Sequence, residues 1–259
     1  MKFSCIPLNF GRAIGHDKTM SYEDWIEMAV EFGLDGVEIY EPWVKDLDES
    51  GLAALADFVH GKGLEASMLT SESHLCNPEW RDSQVDYIKK AVDWALIFDT
   101  DIVRVVSGHG SQGLEHDVVL QSIADGLKAC LDYAEEKGVV LAFEDHWGVG
   151  TNVKDFMRIL ELVGDDRLKV NLDTANVGSR DIVELTGLVK DRVVHTHCSE
   201  LLNNKHGVVI GKGEVDFKGI FTILKGNNYD GWVSLEALAG GKEDLRFSVD
   251  FIKETWESV

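Results

Sequence analysis

Short apolar runs alternate with longer amphipathic stretches along the whole chain, and this pattern repeats eight times. It is typical of a parallel sheet whose strands are connected by covering helices. The apolar runs predict strands at residues 2–8, 36–40, 64–69, 102–106, 139–143, 168–172, 193–196 and 232–235. The amphipathic stretches predict helices at residues 21–32, 51–62, 81–98, 117–137, 152–163, 179–189, 216–227 and 242–256.

The spacing of these units indicates how the sheet closes. A chain of 259 residues gives each of eight units roughly 32 residues, which matches a (β/α)8 barrel of about 250 residues. A doubly wound open sheet is the alternative, but residues 9–15 lack the GxGxxG pattern that commonly follows its first strand. No Pro-rich or Ser-rich linker divides the chain. We therefore predict an α/β fold, a single (β/α)8 TIM barrel, with residues 1–259 as one domain.

Local signals at the helix ends agree with this pattern. Ser21 precedes the first amphipathic stretch and Asp24 follows three residues later, which is close to a capping box. Gly33, Gly63 and Gly138 come directly after the last apolar turn of three helices, where glycine commonly ends a helix.

The formal charge of −21, from 46 acidic and 25 basic residues, disfavours nucleic acid or an anionic membrane as a partner. Cys5, Cys76, Cys130 and Cys198 lie far apart and form no CxxC pair, which favours a reducing compartment. The first residues lack the pattern of a secretory signal, and no run of about 18 apolar residues occurs. We expect a cytoplasmic protein with no nucleic-acid or membrane partner.

The ends of the last four predicted strands carry the strongest functional signal. In a (β/α)8 barrel the active site is built from the carboxyl ends of the strands and the loops that follow them. The residues directly after predicted strands five to eight are, in order, Glu144, Asp173, His197 and Glu236. Each of these polar groups follows a buried apolar run, where leaving it unpaired costs several kcal/mol. A bound cation would remove that cost.

Three carboxylates and one imidazole form a hard, oxygen-rich set of ligands. Such a set favours Mn²⁺, Mg²⁺ or Co²⁺, and the single imidazole also suits Zn²⁺ or Fe²⁺. We expect one divalent metal ion, with Mn²⁺ as the first choice and with open positions for substrate oxygens. The alternative is that these groups cap helices or pair with Lys and Arg across the barrel mouth. Their shared position at four consecutive strand ends favours the metal.

Further polar side chains near the predicted strand ends are candidates for substrate binding. Each also has a simpler explanation, as a structural hydrogen bond or, for a lysine, as a solvated charge. Lys212 is the best candidate for holding a phosphate or carboxylate of the substrate. The full set is His146, Asn176, His74, His109, Glu38 and Lys212.

Aromatic side chains in the predicted upper loops offer surfaces on which a sugar ring can stack, although packing explains them as well. They are Phe10, Trp43 and Trp147. Cys198 follows His197 directly, but the alternation of side chains along a strand points it to the opposite face, so we expect it to pack in the core.

Several motifs together resemble the xylose-isomerase-like sugar phosphate isomerase/epimerase family, over nearly the whole length of the chain. They are specific to that superfamily and do not select one substrate. The motifs lie at residues 33–38, 74–78, 143–146, 172–176, 195–197, 211–217 and 229–236.

The resemblance implies a metal shell on the same four residues. In ketose epimerases of this kind, the two glutamates of the shell face each other across the substrate and exchange a proton at the carbon beside the carbonyl. Glu144 and Glu236 would then be the catalytic acid and base pair. The metal would stabilise the enediolate that forms from a small polyhydroxylated substrate. The family also includes many dimers and tetramers, which leaves a homo-oligomer open.

Two positions depart from the family pattern. Many members carry histidine three residues after the aspartate of strand six, where this chain has Asn176. Ketose epimerases carry arginine six residues after the metal-binding histidine, where this chain has Asn203. The first departure and the acidic charge disfavour the related apurinic endonuclease branch. The second weakens the expectation of a free ketose as the substrate.

Three functions remain open. The leading hypothesis is a metal-dependent isomerase or epimerase acting on a sugar, sugar phosphate or cyclitol by proton transfer next to a carbonyl. The second is a lyase, such as an inosose or dehydroshikimate type dehydratase, in which the same enediolate expels a hydroxyl group. The third is a non-catalytic sugar-binding barrel.

Overall fold

The computed structural model describes residues 1–146 and 148–259, so Trp147 lies outside the described residues. Eight strands alternate with helices, as predicted. The strands are β1 (Lys2–Ile6), β2 (Gly36–Tyr40), β3 (Glu65–Thr70), β4 (Ile102–Val105), β5 (Val140–Glu144), β6 (Lys169–Asp173), β7 (Val193–Cys198) and β8 (Trp232–Glu236). The α-helices are α1 (Tyr22–Glu31), α2 (Glu41–Val44), α3 (Glu49–Gly61), α4 (Arg81–Ile97), α5 (His116–Glu136), α6 (Val153–Val163), α7 (Ile182–Val189), α8 (Phe217–Gly226) and α9 (Lys242–Glu257).

All eight predicted strands and all eight predicted helices are present, and they differ from the prediction only at their ends. The sixth predicted helix, at residues 179–189, begins at Ile182 in the structure. The short helix α2 was not predicted, because its four residues are too few to show a helical period. Among the described residues, no helix is both long and apolar enough to cross a membrane.

The strands form one parallel sheet in the order β1-β8-β7-β6-β5-β4-β3-β2. β1 and β2 lie side by side, and Asp35 links them. Its backbone N–H donates to Phe3 O at 2.8 Å, and its carboxylate accepts from Phe3 N at 2.8 Å. The sheet is therefore a nearly closed barrel, which confirms the predicted fold class. The carboxyl ends of all eight strands meet at one rim.

The interior of the barrel changes from apolar to polar toward that rim. Met68, Ile102, Ala142 and Trp232 form a small apolar cluster, and the Trp232 ring packs against Gly36 at the start of β2. In most barrels of this type, branched aliphatic side chains fill the layers above as well. Here those layers carry buried polar side chains, namely Glu38, Arg104, Glu144, Asn171, His195 and Ser234.

Candidate metal centre

The four residues predicted at the strand ends lie together at the rim of the barrel. Glu144, Asp173 and Glu236 are the last residues of β5, β6 and β8, and His197 is the last but one of β7. One donor atom each of Glu144, Asp173 and His197 lies within 4.8 Å of the other two. Glu236 Oε1 lies 3.9 Å from His197 Nδ1. Three of the four are fully buried, and Glu236 is 5% exposed.

His197 stands between two carboxylates. Its Nδ1 lies 2.6 Å from Glu144 Oε1, and its Nε2 lies 3.0 Å from Glu38 Oε2. Burial alone would favour a neutral imidazole, but the charges of Glu38 and Glu144 outweigh it and raise the pKa of His197 well above its usual value. Nδ1, the nitrogen on the side of Glu144, is the one directed into the candidate site.

Arg104 on β4 is a component of the site that the sequence analysis missed. Its Nη1 donates to Glu144 Oε2 at 2.9 Å, and its Nε and Nη2 donate to the carbonyl of Ser71 at 3.2 and 3.0 Å. Burial would raise the pKa of Glu144, but Arg104 and His197 outweigh it and hold that pKa well below its usual value. An arginine inside the apolar run of residues 102–106 was the signal for this role.

Ser199 connects the other two carboxylates. Its hydroxyl lies 2.9 Å from Asp173 Oδ2 and 2.6 Å from Glu236 Oε2. Asp173 Oδ1 accepts backbone N–H groups of Ala175 and Asn176 at 2.8 and 2.9 Å. Burial and the charges of Glu236 and Glu144 raise the pKa of Asp173 well above its usual value. A second hydrogen or a cation is needed here, because one hydroxyl hydrogen cannot bind both carboxylates.

Asp145 is a further buried acid that the sequence did not single out. Its Oδ1 accepts the backbone N–H of Asp173 at 2.9 Å. Its Oδ2 is buried and has no hydrogen-bond partner among the described residues. Burial and the neighbouring charge of Asp173 raise its pKa well above the usual value.

The residues present fit a divalent cation. Arg104 is the only lysine or arginine side chain among the buried residues that the structure describes. The buried carboxylates at this end of the barrel outnumber it, namely Glu38, Glu144, Asp145, Asp173 and Glu236. Buried carboxylates are costly unless a cation or hydrogen bonds balance them. The sequence left two alternatives for these carboxylates, a metal site or ion pairs with Lys and Arg. The cluster contains both features, since Glu144 pairs with Arg104 and also lies in a set of possible metal donors.

His146 and Asn176 lie together beside this cluster. The Asn176 side-chain nitrogen is 3.0 Å from His146 Nδ1, which is 3.7 Å from Glu144 Oε2. Asn176 also lines a cleft of about 690 Å³ between the loops that follow β6 and β7. Asn203, the second departure from the family pattern, lines the same cleft. The cleft has the size of a small-molecule site.

The other predicted substrate contacts lie elsewhere. Glu38 is fully buried beneath His197, where it bonds protein groups only. Lys212 is exposed and binds Asp244 Oδ1 at 2.9 Å. His74 and His109 form their own stacked pair, with ring centroids 6.0 Å apart, in the loops after β3 and β4.

Two of the three predicted aromatic side chains, Phe10 and Trp43, and the thiol of Cys198 are placed as packing groups. Trp43 packs edge-on against Tyr40, with ring centroids 5.1 Å apart. Phe10 is partly buried against the core, and Cys198 is fully buried in it.

Eight parallel strands with covering helices, and a polar cluster at their carboxyl ends, define the class of TIM barrels with a rim site. Residues 26–255 match the xylose isomerase-like TIM barrel family. The chain belongs to this family, which confirms the resemblance found in the sequence.

Curated relatives match most of the chain. An inosose dehydratase of Lacticaseibacillus casei is 23% identical over 252 residues, which cover 85% of this chain and 83% of that protein. An inosose dehydratase of Clostridium botulinum (strain Alaska E43 / Type E3) is 25% identical over 252 residues, with coverage of 85% and 83%.

Solved structures share the fold over nearly the full length. A D-tagatose 3-epimerase-like protein superposes with a TM-score of 0.82 at 20% identity, covering 100% of this chain and 98% of that one. The probable 3-DHS dehydratase involved in petrobactin synthesis from Bacillus anthracis superposes with a TM-score of 0.81 at 17% identity, covering 98% of this chain and 99% of that one. Epimerases and dehydratases thus share this architecture.

Proposed function

We propose that this protein is a divalent-metal-dependent enzyme that removes a proton from the carbon next to a carbonyl group of a small polyhydroxylated substrate. The observation that carries the proposal is the meeting of Glu144, Asp173, His197 and Glu236 at the barrel rim. These four residues would hold the ion, with Mn²⁺ as the first choice. When bound, such an ion polarises a carbonyl and stabilises negative charge on its oxygen.

Glu236 is the better candidate for the catalytic base. Its carboxylate accepts one hydrogen bond from Ser199, and the residue is slightly more exposed than the other three. Arg104 donates to Glu144 Oε2, and Glu144 Oε1 lies 2.6 Å from His197 Nδ1, on the side where the ion would bind. A proton carrier needs an oxygen that can reach the substrate. We therefore propose that Glu236 removes the substrate proton and that Glu144 holds the ion in a fixed position.

This asymmetry bears on the fate of the enediolate. Epimerisation at one carbon uses two groups on opposite faces, which would be Glu144 and Glu236. Dehydration can use one carboxylate, which takes the C–H proton and then returns it to the hydroxyl group that leaves the neighbouring carbon as water. The bond from Arg104 and the proposed ion both restrain Glu144, which favours dehydration, and the similarity to inosose dehydratases supports it. Isomerisation or epimerisation, the leading hypothesis from the sequence, becomes the second candidate and is supported by the shared fold of the epimerases.

The cleft beside the centre supports a polyhydroxylated substrate. Its lining includes Asn176, Ser179, Asn203 and Asn204, whose amide and hydroxyl groups hydrogen-bond with sugar hydroxyls. His146 stands between this cleft and Glu144 and is a candidate to bind a substrate oxygen.

The test is deuterium exchange in D2O with a panel of ketoses, keto-inositols and keto acids, using protein loaded with Mn²⁺. We expect one class to exchange a C–H next to the carbonyl, and EDTA to abolish the exchange. Mass spectrometry then separates the outcomes, because dehydration gives a product lighter by one water and epimerisation gives an isomer. Absence of exchange across the whole panel would contradict both enzymatic hypotheses.

A further inference from the structure

Glu38 lies at the middle of β2, in the polar layer directly beneath the candidate metal centre, and three strands supply its partners. Thr70 Oγ1 on β3 donates to Oε2 at 2.6 Å, and Ser234 Oγ on β8 donates to Oε1. His197 Nε2 on β7 lies 3.0 Å from Oε2. The carboxylate is fully buried, so all its bonds are to the protein.

These contacts determine where the hydrogen of the His197 ring lies. Both Glu38 oxygens accept hydroxyl hydrogens, so the carboxylate has no hydrogen to offer to the imidazole. The hydrogen of this bond must therefore sit on His197 Nε2. The ring is then held with Nδ1 directed at the side where Glu144 and Glu236 lie, at 2.6 and 3.9 Å.

We infer that Glu38 is a positioning residue for the candidate metal centre. It fixes the ring plane of His197 and keeps a hydrogen on Nε2, so that an ion would displace only the hydrogen on Nδ1. Metal-binding histidines commonly donate their second ring N–H to a carboxylate, and loss of that partner weakens metal binding. This role replaces the substrate contact expected for Glu38 from the sequence. The inference rests on the proposed function, because it needs an ion at His197.

A second cation between Glu38, His195 and His197 is the competing explanation, because their donor atoms also lie close together. His195 Nε2 is buried without a hydrogen-bond partner among the described residues, and it lies 3.9 Å from Glu38 Oε1. Against this, Glu38 already has three hydrogen-bond partners in the protein, with Thr70 and His197 at Oε2 and Ser234 at Oε1. The two explanations differ in stoichiometry, at one ion per chain or two.

The test is the affinity of the metal-free full chain for Mn²⁺, measured by titration calorimetry, in the natural protein and in Glu38→Gln. We expect the Kd to rise about 10- to 100-fold in the variant, with about one ion bound in both. Glu41→Gln is the matched control, since Glu41 is also largely buried. Its carboxylate accepts a hydrogen bond from the Tyr87 hydroxyl at 3.0 Å and does not contact His197 in any hydrogen bond of the described residues. Its Kd should equal that of the natural protein.

Histidine ¹⁵N NMR of the metal-free protein gives a readout that needs no ion. We expect a slowly exchanging hydrogen on Nε2 of His197 in the natural protein, and faster exchange in Glu38→Gln. If Glu38→Gln does not fold, the double variant Thr70→Val and Ser234→Ala removes the two hydroxyl donors and keeps the carboxylate. The double variant should raise the Kd for Mn²⁺, because Glu38 and with it the His197 ring are held less firmly.

The outcomes separate this inference from the proposed function. An unchanged Kd in Glu38→Gln, or two ions per natural chain with one lost in the variant, would overturn the positioning role and leave the enzymatic proposal intact. A natural protein that binds no divalent ion would overturn the proposed function. If the hydrogen on His197 Nε2 also exchanged at the same rate in Glu38→Gln as in the natural protein, the contact between Glu38 and His197 would be overturned as well.

Discussion

Residues of the same chemical type behave differently in this site because of their neighbours. Glu144 and Glu236 end equivalent strands, and the sequence presents them as an equal pair. Arg104 and His197 engage Glu144 on both oxygens, whereas Ser199 supplies the hydrogen bond of Glu236. Hydrogen bonds to a charged carboxylate stabilise the charged form and make it a weaker base. We therefore propose separate roles for the two glutamates.

Replacement of Glu236 by glutamine should separate metal binding from proton transfer. We expect Glu236→Gln to lower the rate of C–H exchange by about 10²-fold or more, since it removes the base. It should keep more bound Mn²⁺ than Asp173→Ala, because the amide oxygen can still reach an ion whereas alanine has no donor. Exchange rates together with metal analysis of both variants test this. Full activity in Glu236→Gln would rule out Glu236 as the proton carrier.

Replacement of Arg104 tests the buried ion pair. Arg104→Met leaves the Glu144 carboxylate without its cation, and breaking such a pair typically costs about 3–5 kcal/mol. We expect a loss of that order in the free energy of unfolding of the metal-free protein, measured in urea. Added Mn²⁺ should recover part of it. Arg104→Lys is the control, because it keeps the charge but offers fewer donors to Glu144 and Ser71; a loss equal to that of Arg104→Met would show that charge is not the cause.

At the scale of elements, the strands place the site and local signals set the helix ends. Three of the four candidate ligands are the last residues of their strands, so each strand extends one residue beyond the apolar run that predicted it. The predicted capping box at the start of α1 is confirmed. Ser21 Oγ accepts Asp24 N at 2.9 Å, and Asp24 Oδ2 accepts Ser21 N at 2.8 Å.

Removal of this cap should lower the stability without affecting the site. Ser21→Ala leaves one backbone N–H of α1 without its acceptor, which typically costs about 1 kcal/mol. We expect a loss of that size in urea unfolding and an unchanged affinity for Mn²⁺. Ser83→Ala in the first turn of α4 is the control, because it removes a hydroxyl that only donates to Trp80 O. An equal loss in both variants would argue against the cap.

At the scale of the whole molecule, one buried site joins strands from around the barrel. β2, β4, β5, β6, β7 and β8 each contribute a buried polar side chain to it. A ligand that binds only the folded chain stabilises it, by about 2.7 kcal/mol when its concentration is one hundred times the Kd. The candidate ion should therefore stabilise the entire barrel.

Metal removal tests this coupling. We expect the protein as purified to hold about one divalent ion per chain by elemental analysis, and EDTA to lower its Tm. Mn²⁺ added back should restore the Tm, and Asp173→Ala should respond far less. A Tm that is the same with and without the ion, in a protein that does bind it, would mean that the ligands are equally available in the unfolded chain.

The sequence by itself determined the barrel and the four residues at its rim. Side chains repeat with a period of two along a strand and with a period of 3.6 along a helix, and the strand ends of a parallel barrel share one rim. These features therefore follow from local sequence patterns. Glu144, Asp173, His197 and Glu236 were found in this way. Their roles as metal ligands remain a prediction.

Only the tertiary structure decided which groups contact one another within the barrel. Glu38 and His197 are 159 residues apart, and Arg104 and Glu144 are 40 apart. Their contacts depend on the order of the strands and on irregular register, such as the shifts after Val37 in β2 and after Val170 in β6. A shift of one residue reverses the face on which a side chain lies. Glu38 was predicted at the substrate because it lies near the end of strand two, whereas the folded barrel buries it beneath His197.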